Sequence, residues 1–382
     1  MIRSLLTVLL IGGRTLYAGP DLILRPAPWA EPEAELRALR SALRSDARNI
    51  SLAVHVAWKL VEKARNDGTP QPLSHAMAAL APWWNEPEPH PEVLLLRATI
   101  HQSLHEFEPA LKDLDALVKT RSSHAQAWLT RATVQLVSGD LTGCVASCWK
   151  LKELASPLVH AAALTAAETL QRDTPVAAEL ERLLSAKPSD APAVQSWACA
   201  ILAEHLARWG RRQRADEWFR EALSLTPGDR SLLAARADFL LTENLPGEAR
   251  SLLASRTSDD LLLLRLALAA KAQHEPAAVY VNLLKDHAQN ARELGVSLHL
   301  REEAMLHLQL LNDPKTALPL AVENWQIQRE AADARLLLTA AAAAGQPDAA
   351  QPVLEWMTQQ NVTAPDLVKL AAALKNPRSS FP

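Results

Sequence analysis

The sequence repeats itself at an interval of 34 residues. Residues 91–124 (PEVLLLRATIHQSLHEFEPALKDLDALVKTRSSH) run without a gap into 125–158 (AQAWLTRATVQLVSGDLTGCVASCWKLKELASPL), in the same register. Counted from each start, position 4 is Leu94 and Trp128, position 8 is Ala98 and Ala132, position 20 is Ala110 and Cys144, and position 24 is Leu114 and Cys148. A fixed period of this size marks stacked supersecondary units, none of which can bury its apolar face alone. Each unit holds two apolar-periodic stretches about a turn, His105-Glu106 in the first and Gly139-Asp140 in the second. Two antiparallel helices approach closely only where small residues sit at their crossing, so Ala98 is expected against Ala110 and Ala132 against Cys144.

The pattern resembles the tetratricopeptide repeat. It recurs at 196–229, where Ala203, Gly210, Ala215, Phe219, Ala222 and Pro227 fall at positions 8, 15, 20, 24, 27 and 32. It recurs again at 230–257, through Leu233, Ala237, Ala249 and Leu253, and at 331–364 about the turn Gly345-Gln346-Pro347. Looser units occupy 51–84 and 159–187. The resemblance implies an all-α fold, a right-handed α-solenoid of about eight or nine helix pairs whose first helices line a concave face. On this division 46–364 is the array, 19–45 an extension and capping helix opened by Pro32, and 365–382 a second capping helix and tail.

Composition agrees with a helical chain: 11 Gly in 382 residues is sparse, and the 25 Pro are scattered singly, as suits many short helices that each open at a proline. A net charge of −3 gives no footprint for a nucleic-acid backbone or an anionic membrane surface. Residues 1–18 (MIRSLLTVLLIGGRTLYA), with Arg3, an apolar run from Leu5 and Ala18 at the end, resemble a secretory signal peptide. A periplasmic or secreted protein is therefore expected, with a cytoplasmic one as the alternative. No integral membrane span is expected, since the longest later apolar run is interrupted by Arg265. Three cysteines, Cys144, Cys148 and Cys199, are an odd number and read as small buried residues rather than a disulfide framework.

The sequence contains no phosphate-binding glycine loop, no G-x-S-x-G, no H-E-x-x-H and no C-x-x-C, so no enzyme, cofactor or metal is expected. His101 and His105 read as ordinary repeat residues. The eleven Trp are expected mainly in the core, including Trp128, Trp149 and Trp218, with one of Trp83 and Trp84 exposed.

Two features break the apolar rules of the repeat. Position 7 is an arginine in four units: Arg97, Arg131, Arg236 and Arg265. Either each lays its stem between adjacent pairs and meets a carboxylate such as Asp113, Asp140 or Asp238, or the four form a guanidinium ladder gripping an acidic ligand in the groove. The second feature is the polar stretch 298–335, with Arg301, Glu302, Asn324, Trp325, Arg329, Glu330 and Asp333. These residues are expected either to satisfy one another inside, fixing repeat packing, or to face the groove as a binding site. The function expected from the whole is a non-enzymatic scaffold that holds a protein or peptide segment on its concave face and serves an envelope or periplasmic complex. The alternative is an accessory protein binding a small ligand or metal in a polar pocket near Glu302 and Trp325.

Overall fold

The computed structural model describes residues 33–293 and 300–375; the leader at 1–18, the extension before residue 33 and the tail after residue 375 lie outside them. Among the described residues there are helices and connections and no strand. Helix α1 (Glu33–Ser45) precedes a series of pairs: α2 (Ile50–Asp67) with α3 (Gln71–Trp84), α4 (Pro91–Ser103) with α5 (Phe107–Thr120), and α6 (Ala125–Val137) with α7 (Leu141–Trp149). Next come α8 (Pro157–Glu168) with α9 (Pro175–Ser185), α10 (Pro192–Arg208) with α11 (Arg212–Leu225), and α12 (Arg230–Thr242) with α13 (Pro246–Leu253). The series continues through α14 (Asp260–Ala272) with α15 (Ala278–Glu293), α16 (Leu300–Met305) with α17 (Pro314–Ile327), and α18 (Ala331–Ala343) with α19 (Gln351–Gln359), and ends in α20 (Pro365–Lys375). The tetratricopeptide-like arrangement is thus an α-solenoid of stacked pairs. Its one irregular first helix is α16, which runs into a π-helical turn at Leu306–Leu310, inside the polar stretch that broke the repeat pattern.

Local chemistry sets the helix starts. Proline opens α4, α8, α9, α10, α13, α17 and α20, where a missing N–H costs nothing. Side-chain oxygens cap others: Asp140 accepts from the Gly143 N–H at 2.8 Å, and Asp229 from the Ser231 N–H at 2.9 Å. Six of the turns within pairs share one device. A residue with positive φ stands at each of His105 (62°), Gly139 (87°), Gly210 (81°), Asn244 (60°), His274 (58°) and Gly345 (67°), and the next N–H reaches back five residues. Examples are Asp140 to Gln135, Arg211 to Leu206 and Leu245 to Leu240, each at 2.8 Å. Glycine is scarce because histidine and asparagine tolerate the left-handed conformation at half of these turns.

Second helices bury one stripe: α5 does so through Ala110, Asp113, Leu114 and Leu117. First helices are buried on nearly every side; residues 196–206 of α10 and 232–240 of α12 are buried without a break. Ala98, Ala110, Ala132 and Cys144, at the crossings, are all fully buried. A solenoid open on its inside would leave one face of each first helix wet.

The cover comes from the chain itself, because the array curls back and seats its C-terminal units on the turns of its earlier ones. The Arg329 N–H donates to the Val137 carbonyl at 2.9 Å, and the N–H groups of Thr363 and Ala364 donate to the Leu170 carbonyl at 2.9 and 3.0 Å. Trp356 Nε1 donates to the Gly139 carbonyl at 2.8 Å, and the Gln360 side chain accepts from the Leu141 N–H at 3.0 Å. Gln328 reaches His105, and Arg208 at the end of α10 meets Asp366 at 3.2 Å. One buried apolar cluster consequently runs from Ala125 to Leu374, beside a second from Ala53 to Val134.

Candidate functional site

The repeated arginines are consumed by pairing. Arg97 forms a two-pronged contact with Asp113 at 2.6 and 2.5 Å, bonds the Trp84 carbonyl and lies 6.0 Å from the centre of the Trp84 ring. Arg131 binds Asp115 at 2.7 Å and Ser147 at 2.6 Å, beside Trp128. Arg236 meets Asp216 at 2.5 Å and stacks on both Phe219 and Phe239. Arg265, only 2% exposed, meets Asp238 at 2.8 Å and the Leu261 carbonyl. Asp113 and Asp238 thus serve as partners, whereas Asp140 caps α7 and accepts from Gln135. The four guanidinium groups brace helices and do not stand as a free ladder.

The polar stretch is likewise turned inward. Arg301 holds Asp333 at 2.6 and 2.7 Å, Glu330 at 2.5 Å and Gln328 at 3.0 Å, and Asn324 donates to Asp333 at 2.6 Å. Burial works against the Arg301 charge, but Asp333 and Glu330 outweigh it and hold the guanidinium protonated well above its ordinary range. Trp325 packs edge-on against Trp356 with ring centres 5.3 Å apart. Glu302 is only partly buried and adds its charge to the surroundings of Arg301. Arg329 stands apart from this network: its side chain is exposed, and its backbone makes the contact to Val137. The network shapes the segment that docks.

Where the docked segment meets α6, α8 and α10 it leaves a cavity of about 30 Å³, lined by Glu204, His205, Arg208 and Glu330 among apolar side chains. None of Glu204, His205 and Arg208 was singled out by the sequence. The available signal was the lack of any wet face on α8 and α10, which demands cover from elsewhere in the chain. His205 bonds Thr169 at 3.0 Å and Asp173 at 2.9 Å. Burial lowers its pKa to about 4, with Asp173 offsetting part of the effect. This hydroxyl, imidazole and carboxylate chain has the order of a proton relay, but the adjoining space admits a water or two and no substrate, so it braces α8 against α10. Burial pushes the Glu204 carboxyl well above its ordinary range, Glu330 and Asp238 push it further, and Arg208 opposes them. Asp366 goes the other way. Burial would raise it, but Arg208 and Arg335 hold it at about 2. Among the described residues no group of three or more His, Cys, Asp or Glu side chains is placed to hold a metal ion, and no helix is long and apolar enough to cross a membrane.

Two expectations about tryptophan change. Trp149 is 51% exposed rather than in the core, because α7 ends there and a 3-10 turn at Lys150–Glu153 takes the chain in another direction. Its ring meets His160 at a tilt of 59° with centres 5.5 Å apart, while neighbouring Trp128 lies between Arg131 and Lys150 at 5.9 and 6.0 Å. Trp83 and Trp84 are both partly buried against the first cluster, so neither is the exposed member of the pair. The concave face expected to receive a partner is closed along α10 and α12, whose inner sides are buried.

No family model and no curated protein matches the chain. Among solved structures, the chain is similar to yeast Tom70, with 11% identity, a TM-score of 0.43, and coverage of 90% of this chain and 85% of that one. It is similar to the human IFIT1 dimer with m7Gppp-AAAA, with 13% identity, a TM-score of 0.44, and coverage of 86% and 85%. The P58(IPK) TPR domain aligns at 14% identity and a TM-score of 0.25, over 84% of this chain and 97% of its own length.

Proposed function

We propose that this chain is a non-enzymatic scaffold that binds a protein segment, and that it is an exported protein serving an envelope or periplasmic complex. The single observation behind the binding role is the aromatic and cationic strip of Trp128, Arg131, Trp149, Lys150 and His160, displayed on a repeat array. Tryptophan and arginine dominate binding hot spots, and a half-exposed indole gains from being covered. The leader sequence supports export. With the inner groove closed, the partner is read onto this outer edge. The test is affinity capture from an envelope fraction with the intact protein and with Trp149→Ala. The reading expects one specific protein with the first and its loss with the second, at an unchanged melting temperature. Capture of no specific protein by the intact chain, or equal capture by both, contradicts it.

A further inference from the structure

We propose that the seating of the C-terminal units on the array is a pH-gated latch, closed while the carboxyl of Glu204 is neutral across from Glu330 and opened when Glu204 ionises. The two carboxyls belong to opposite sides of the contact. Glu204 comes from α10 in the middle of the array; Glu330 caps α18 in the docked segment, and both line the same cavity. Glu204 is 8% exposed, and its Oε1 has no hydrogen-bond partner.

The charges around this cavity are already committed. From α8 and the turn after it, Glu168 is bound by Arg172 and Thr174, and Asp173 by His205 and Arg211. On α10, Arg208 is bound to Asp366 of α20, as is Arg335 of α18. From α12, Asp238 holds Arg265 and Arg236 is held by Asp216. From α16, Arg301 is shared by Glu330 and Asp333. Each cation within reach has another carboxylate, so Glu204 has no ion pair of its own to welcome a negative charge. Burial therefore keeps the proton on, and Glu330 and Asp238 reinforce it. Removing the proton to solvent leaves like charges facing across a space with room for a water or two. Residues 196–206 of α10 are buried without a break, whereas residues 328 and 329, at the rim of the docked segment, are half-buried and exposed. Relief comes from lifting that rim.

The sign follows from proton counting. The closed form binds the Glu204 proton more tightly than the open form, so closure is strongest at low pH and weakens as pH rises beyond the ordinary carboxylate range. Asp366 titrates near 2 and His205 near 4 in the closed form, both below the window used here.

The direct probes are the Arg329, Thr363 and Ala364 amides, whose acceptors lie on the array. Hydrogen exchange is followed by mass spectrometry on the full chain from pH 5 to 9, corrected for intrinsic rates, with residues 232–240 of α12 as internal reference. Protection of the three amides relative to α12 is expected to fall by up to about tenfold per pH unit, and to stay level in Glu204→Gln. A level profile in the unmodified protein, or the same fall in Glu204→Gln, overturns the proposal. Should Glu204→Gln fail to fold, Glu330→Gln removes the facing charge that raises the Glu204 pKa and must shorten the fall, ending it at lower pH; an unmoved profile overturns the proposal equally.

Discussion

Gly139 and Gly210 hold the same place in the turns of two helix pairs, both with positive φ, but only one is crowded. A Cβ on Gly139 would stand 2.8 Å from both Arg329 Cβ and Trp356 Nε1, which belong to the docked segment; a Cβ on Gly210 meets nothing within 4 Å. Gly210→Ala should therefore cost only the left-handed backbone term, ~1–2 kcal/mol. Gly139→Ala should cost that and a further ~1–3 kcal/mol of overpacking. Urea unfolding of the two variants measures the difference, and equal losses would mean that the docked segment does not press on Gly139. At this scale the sequence was partly readable. Asp113 and Asp238 stood within the repeat as carboxylates for arginine, and both are used; Asp140 had the same look, but its place one residue before α7 made it a cap. Trp149 misled because it follows the apolar spacing of α7 to the last residue of that helix, where the turn sets it outside.

Between elements, a buried ion pair ties α12 to α14 within their apolar packing. Arg265 and Asp238 have side chains only 2% exposed, so neither charge has water to fall back on. Arg265→Met should lose about 3–5 kcal/mol, because it strands the Asp238 carboxylate. Adding Asp238→Leu should restore most of that, since an apolar pair replaces an ionic one at little net cost. Denaturant midpoints of the single and double variants check this, and a double variant as weak as the single would show that the pair does more than neutralise itself. Helix pairs, their turns and their crossings could be read from the sequence because each depends on residues fewer than 34 apart. First helices with no polar side were visible too, as in LVHAAALTAA of α8. They announced that something covers the inner face without saying what.

The closed shape of the whole molecule could not be read in advance, because its contacts join Val137 to Arg329 and Leu170 to Thr363, far beyond the repeat period. Their groups are carbonyls, amides and small side chains that carry no pattern of their own. Nor could the polar stretch be assigned a side. Arg301, Asn324, Glu330 and Asp333 make one network inside, and the same residues in an open solenoid would have faced the groove. Closure decides between those readings, and it also moves the expected partner from the inner face to the Trp149 edge.

The central claim is that the array closes on itself, and cross-linking tests it most directly. Thr363 Oγ1 donates to the Gln171 carbonyl at 2.6 Å, while the native Cys144, Cys148 and Cys199 are buried; contact with Cys148 and burial hold the Cys144 thiol protonated, and burial does the same for Cys199. The variant Gln171→Cys with Thr363→Cys, treated with a short thiol-to-thiol cross-linker and mapped by mass spectrometry, is predicted to give one intramolecular link between the two new cysteines. Full labelling of both with no link between them would contradict the closed array.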